Sequence, residues 1–156
     1  MKLCVFSDSH GNAENMIAAI RREDPLLCFF LGDGERDLAL VREEFPFLPF
    51  YAVRGNCDPR SKLSEAVTCA VGSVGIFAVH GHRHNVKYEA EPETLAAAAR
   101  AEGAEVALFG HTHRPFCGRV GEVLAVNPGS VGRGAHPGYA VLILEDGGIR
   151  AELKTL

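Results

Sequence analysis

The chain has 156 residues, 47% of them hydrophobic, and a formal net charge of −4. That is enough for one domain with a real core and too little for two comfortable ones. The acidic balance excludes general nucleic-acid binding by phosphate neutralisation, but a metal site can reverse the local potential and admit a small phosphate-bearing ligand.

The spacing of apolar residues predicts a strand over 2–7 and a helix over 12–23, with Asn12 as its cap and Met16, Ile17 and Ile20 as its apolar stripe. A strand over 26–31 and a helix over 35–45 follow, the helix stopped by Pro46, and then a strand over 48–54. Residues 55–65 read as a polar loop. Two β-runs, 66–71 and 74–80, flank a Gly72-Ser73 turn. An Ala-rich helix over 92–102 carries Pro92 in its first turn and Gly103 at its end. Runs at 105–109, 115–120, 122–126, 138–145 and 149–154 are strand-like, and Asp146-Gly147-Gly148 makes a hairpin connection. Strand and helix alternate early, while strands dominate later. This predicts one domain over 1–156 with two stacked sheets and helices outside.

No stretch approaches the roughly 20 apolar residues of a membrane span, and the opening apolar run meets Asp8 too soon for a secretory core. The five cysteines, at 4, 28, 57, 69 and 117, form no Cys-x-x-Cys pair, and three lie inside apolar runs. They read as reduced thiols in a cytoplasmic protein rather than a disulfide framework.

Five of the strand-like runs end on residues that can bind a metal. The first leads to Asp8 and His10, the second to Asp33, the third to Asn56, another to His80, and the last to His111 and His113. Open α/β sheets gather ligands where strand carboxyl ends meet. Asp8 and His10, two residues apart, are expected to point the same way from an extended strand end. Asp33 has two oxygens, enough to bridge two cations. Singly, Asp-x-His is usually a turn and Gly-Asp usually a helix start. As an ordered set, these carboxylates and imidazoles would crowd together at a cost of several kcal/mol unless a counter-charge sat among them. Mixed nitrogen and oxygen donors suit Mn, Fe, Zn, Co or Ni and suit Ca poorly.

The series Asp8-x-His10, Gly32-Asp33, Gly55-Asn56-Cys57-Asp58, His80-Gly81-His82 and Gly110-His111-x-His113 resembles the calcineurin-like metallophosphoesterases. It is closest in pattern to their small, cap-free bacterial and archaeal phosphodiesterases, which share the Asn127-Pro128-Gly129-Ser130 loop. The resemblance implies an α/β (α+β) fold, a four-layer αββα sandwich of two mixed sheets flanked by helices. It implies that Asp8, His10, Asp33 and His113 hold one metal, and that Asp33 bridges to a second held by Asn56, His80 and His111. Two divalent transition-metal ions are expected, Mn foremost. Cations about 3.5–4 Å apart lower the pKa of a bridging water, and the resulting hydroxide attacks phosphorus in line with the leaving oxygen. Asn56 and His111 are expected to act on the phosphoryl group as well as on metal.

Position 57 departs from the commoner superfamily pattern, which has His there; a thiol cannot supply an imidazolium. The subgroup with Cys tends toward phosphodiesters, so a small phosphodiester is the expected substrate, and Cys57 contacts it or merely fills space. Arg60, Arg114, Asn12 and Ser130 are the other candidate substrate contacts, although Asn12 reads better as a cap. His82, His84 and His136 read as supporting or surface residues. The alternatives are a phosphomonoesterase or nuclease using the same site, or a binding scaffold on a retired enzyme fold. All seven ligand positions are filled, which weighs against the scaffold. No membrane partner is expected; a homo-oligomer is open.

Overall fold

The computed structural model describes residues 1–156. Its elements in chain order are β1 (Lys2–Phe6), α1 (Ala13–Glu23), β2 (Leu27–Phe30), α2 (Glu35–Glu44), β3 (Phe50–Ala52), β4 (Ala66–Val71), β5 (Val74–Val79), α3 (Glu93–Ala101), β6 (Val106–Leu108), β7 (Phe116–Val120), β8 (Val123–Asn127), β9 (Gly138–Glu145) and β10 (Gly148–Thr155). They form two mixed five-stranded sheets, in the orders β10-β9-β1-β2-β3 and β4-β5-β6-β8-β7.

The period-two alternation of the strands assigns the layers. Leu3, Val5, Phe29 and Leu31 point inward and meet Ile76, Ala78, Val106 and Leu108 of the second sheet. The intervening Cys4, Phe6, Cys28 and Phe30 face the other way, against Met16 and Ile20 of α1 and Leu38 and Val41 of α2. Phe77, Val79, Ala107 and Phe109 do the same for the second sheet, under Leu95, Ala96 and Ala99 of α3. The result is the expected helix–sheet–sheet–helix sandwich. Central strands buried on both faces explain why those runs read as nearly unbroken apolar sequence.

Several boundaries differ from the expected ones. The strand expected over 48–54 shrinks to three residues because it pairs only with β2, at the sheet edge. Pro92 stands at the N-cap of α3 rather than inside its first turn, where its carbonyl accepts the Ala96 N–H. Both turn assignments hold: Val71 pairs with Val74 across Gly72-Ser73, and Glu145 with Gly148 across Asp146-Gly147.

What positions the site is strand direction. β1, β2 and β3 run parallel in one sheet, β5 and β6 parallel in the other, and all five deliver their carboxyl ends to one rim. No helix is long and apolar enough to cross a membrane.

Candidate metal centre

The backbone at this rim is not extended. Asp8, His10, Asp33, His111 and His113 have φ of 55°, 44°, 61°, 67° and 59°, in the left-handed region that L-residues enter rarely. Five of the chain's seven non-glycine residues with positive φ are therefore candidate ligands. The expectation that Asp8 and His10 project from an extended strand end is thus corrected. The chain turns sharply after Phe6, and Asp8 N–H and His10 N–H donate to the carbonyls of Gly32 and Asp33, stitching the first loop to the second. Such conformations persist only where surrounding structure over-determines them. Here Gly32 (φ 99°) permits the approach: a Cβ on it would lie 2.4 Å from the Gly55 nitrogen.

These loops bring donor atoms together. Asp33 Oδ2 lies 3.3 Å from His80 Nε2 and 3.8 Å from His10 Nε2, so this carboxylate stands between the two imidazoles. Asp8 Oδ1 lies 3.1 Å from His113 Nε2, 3.7 Å from His10 Nε2 and 3.9 Å from His80 Nε2. His10 and His113 face each other through their Nε2 atoms at 3.3 Å. Asn56 Oδ1 is 3.0 Å from His80 Nε2. The donor atoms of Asp8, His10 and His113 lie within 4.8 Å of one another, as do those of Asp8, Asp33 and His80, and of His10, Asp33 and Cys57. The His111 ring stands edge-on to His80, centroids 5.0 Å apart, and its backbone N–H donates to Asp8 Oδ2. All seven candidate ligands therefore cluster at one rim, six of them by side-chain donors in close approach.

The charges at this place do not balance from within. Asp8 is fully buried and Asp33 only 3% exposed, yet neither has a Lys or Arg partner; every ion-pair contact they make is to an imidazole. His80 donates its Nδ1–H to the Leu31 carbonyl at 2.7 Å, which fixes the tautomer and turns the Nε2 lone pair toward Asp33 Oδ2 and Asn56 Oδ1. Three lone pairs meeting there need a proton or a cation between them. Burial opposes charging His80, but the Asp33 hydrogen bond and the Asp8 charge prevail and raise its pKa. Burial, seconded by the His80 charge and by Lys87, pushes His111 down to about 4, leaving the neutral imidazole that can ligate. Burial works against ionising Asp33 too, but His80 and the Cys57 N–H hold its carboxyl well below the usual range. This donor set fits divalent transition metals on its own chemistry: buried carboxylates, oriented imidazoles and no resident counter-cation.

The family model for the calcineurin-like phosphoesterase superfamily domain matches residues 1–147. The chain belongs to that superfamily. It is similar to Probable metallophosphoesterase YsnB of Bacillus subtilis (strain 168), 31% identical over 154 residues that cover 94% of this chain and 86% of that protein. It is also similar to Phosphodiesterase YfcE of Escherichia coli (strain K12), 34% identical over 96 residues, 55% of this chain and 47% of that one. Among solved structures it resembles a predicted phosphoesterase from Streptococcus pneumoniae TIGR4, with a TM-score of 0.77 at 29% identity over 93% of this chain and 83% of that one. The family uses divalent metals, and this member is a metal-dependent phosphoesterase by descent.

In this calcineurin-like phosphoesterase the candidate substrate contacts divide. Cys57 and Arg60 are exposed and line a cleft of about 430 Å³ with His10 and Asp33. Burial and the negative charge of Asp33 raise the Cys57 thiol, so it stays protonated beside the carboxylate. Arg114 is exposed but opens onto a different hollow, with Thr112 and Phe116. Asn12 is the cap of α1, its Oδ1 accepting the Asn15 N–H at 3.2 Å. Ser130 is a brace rather than a contact: its buried hydroxyl donates to the Asp8 carbonyl at 2.6 Å and accepts the Arg133 N–H. His82 is half-buried, 5.5 Å from His80 between ring centroids; His84 packs edge-on to Phe77; His136 is exposed.

Sequence reasoning missed the residues that hold the loops. The Asp58 carboxylate accepts the N–H groups of Asp33 and Gly55 through Oδ2 and of Gly34 and Glu35 through Oδ1, at 2.7–3.3 Å. Asp37 receives the Ser9 hydroxyl and the Gly11 N–H, and Ser7 donates to Asp8 Oδ2. Asn127 donates to the Gly110 carbonyl and Thr112 Oγ1. Asp58 and Asn127 had a signal, since both lie inside quoted motifs. Ser7 and Asp37 had none.

Proposed function

We propose that the chain is a dinuclear metal-dependent phosphodiesterase acting on small phosphodiesters. The observation that carries this is the position of Asp33, one buried carboxylate between His10 and His80 with no cationic residue to neutralise it. Asp8, His10, Asp33 and His113 would hold one ion, and Asp33, Asn56, His80 and His111 the other. Bound there, a pair of divalent ions, Mn foremost, activates water for attack on phosphorus and neutralises the phosphoryl oxygens.

The chain's own residues do the rest. The hydrogen bond from His80 to Leu31 and the backbone bonds to the carboxylates fix the donors before substrate arrives, and catalysis through positioning and charge neutralisation depends on such preorganisation. The Asn56 amide is exposed at the mouth, where its Nδ2 can donate to a phosphoryl oxygen. Beside it, Cys57 offers a protonated thiol where a stronger acid would assist a poor leaving group. This favours diesters over monoesters. The similarity to a protein named as a phosphodiesterase points the same way.

The test is hydrolysis of bis(p-nitrophenyl) phosphate with added Mn, alongside metal analysis of the purified protein. Wild type should turn over the diester and hold about two metal equivalents. Asp33→Ala should lose at least about a thousandfold in kcat/KM and most of its metal. Full activity in an Asp33→Ala protein that binds no metal would end this reading.

A further inference from the structure

One hollow is lined by two of the candidate ligands, His10 and Asp33, and a second of unlike chemistry flanks the loop that carries His111 and His113. The cleft beside His10 and Cys57 has a single hydrophobic residue in its wall. Across the ligand loop lies a larger hollow of about 710 Å³, whose wall includes Val86, Tyr88, Phe109, Pro115 and Phe116. Thr112 and Arg114 line it too, and they alternate along the chain with His111 and His113. Neighbouring Cα atoms are about 3.8 Å apart, so this hollow flanks the loop that bears two of the candidate ligands.

Its lining is aromatic and cationic. The Phe109 and Phe116 rings pack with centroids 6.2 Å apart and form part of the floor. Tyr88 is 88% exposed, a large ring left in water at the edge. Glu89, the one acid in the wall, is engaged by the N–H and hydroxyl of Thr94 near the start of α3. Lys87 and Arg114 make no ion pair, whereas Arg54 and Arg83 both pair with Glu65 elsewhere.

We propose that this hollow is a subsite for one organic substituent of the substrate, and that the substituent carries a flat aromatic ring of nucleobase size. The proposal rests on the phosphodiesterase reading and deepens it. Hollows of this volume accept small organic groups. Aromatic walls stack on any base because every base has a π-face, while free cations draw the attached phosphate inward. With the phosphate at the metal ligands, the ring lies over Tyr88 and toward Phe116.

The experiment compares adenosine 5′-monophosphate with ribose 5-phosphate, which lacks only the base, by calorimetry on Mn-loaded protein. Wild type should bind the nucleotide at least about tenfold more tightly, the scale of one base on one aromatic ring. Tyr88→Ala, a change at an exposed side chain, should shrink that preference below about threefold and leave ribose 5-phosphate unchanged. Equal affinities in wild type overturn the subsite, as does failure of both to bind. A preference untouched by Tyr88→Ala but lost in Arg36→Ala, on the opposite cleft, also overturns it. Diester hydrolysis without base preference sinks the subsite alone; base preference without diester hydrolysis sinks the phosphodiesterase reading instead.

Discussion

The two ends of β1 each carry buried carboxylates, and they are neutralised in opposite ways. At the amino end, Glu23 is 5% exposed and surrounded by the chain's own partners: Lys154 at 3.0 Å, Lys2 at 3.4 Å and the Tyr139 hydroxyl at 2.8 Å. At the carboxyl end, Asp8 and Asp33 are as deeply buried and have imidazoles, N–H groups and the Ser7 hydroxyl around them, but no lysine or arginine. The same fold that spends two lysines on Glu23 supplies none where two carboxylates meet. The contrast teaches that the second centre is completed from outside, by a cation, and the first is not.

The largest expected effect comes from supplying that cation. Mn at 100 to 1,000 times its dissociation constant should stabilise the protein by about 3–4 kcal/mol in urea or thermal unfolding, and a chelator should reverse the gain. Asp33→Asn should lose this response, and because His80 and the Cys57 N–H hold the Asp33 carboxyl below its usual range, it should also leave the metal-free protein somewhat less stable at neutral pH. A metal-induced gain equal to wild type in Asp33→Asn would break the comparison.

Glu23→Gln should be the next largest, about 2 kcal/mol at pH 7, because it takes the buried charge away from Lys2 and Lys154 and leaves them only the Glu23 carbonyl and the partly exposed Glu152 carboxylate. Burial opposes ionisation of Glu23, yet the Tyr139 and Lys154 hydrogen bonds outweigh it and lower its pKa below the ordinary 4.5. A carboxyl lowered on folding contributes stability above its unfolded pKa and forfeits it as pH falls through the folded one. Wild type and Glu23→Gln should therefore differ at neutral pH and converge only as pH falls through the lowered folded pKa of Glu23, in urea titrations across pH, with added Mn leaving the difference between the two curves unchanged. Tyr139→Phe removes one of three partners and should cost the least, about 1 kcal/mol by the same measurement.

Much of the scaffold was legible in the sequence because its physics is local. Continuous apolar runs marked the two-faced strands, Gly72-Ser73 and Asp146-Gly147 marked hairpins, and Pro46 ended a helix. The ligand positions could be read because each follows such a run. The shape of the backbone that bears them could not. Asp8 and His10 adopt left-handed turns only because Gly32 and Asp33, some 25 residues on, accept their N–H groups, and no local pattern encodes that. Ser130 misled for a related reason: a hydroxyl in a motif looks available until the carbonyl of Asp8, 122 residues away, is seen to receive it. Tyr88 and Phe116 carried no signal, since single aromatic residues outside a motif are usually core or surface.

The four backbone bonds collected by Asp58 have a consequence for how the ions come and go. A cradle knotted by its own carboxylate keeps its form whether occupied or not. Capture should then be paced by how fast an ion sheds its water, not by rearrangement of the chain. Because Cys57 and Asn56 lie open to solvent at the mouth, exchange of one metal for another should proceed without unfolding, and the identity of the bound metal should follow supply in the surroundings.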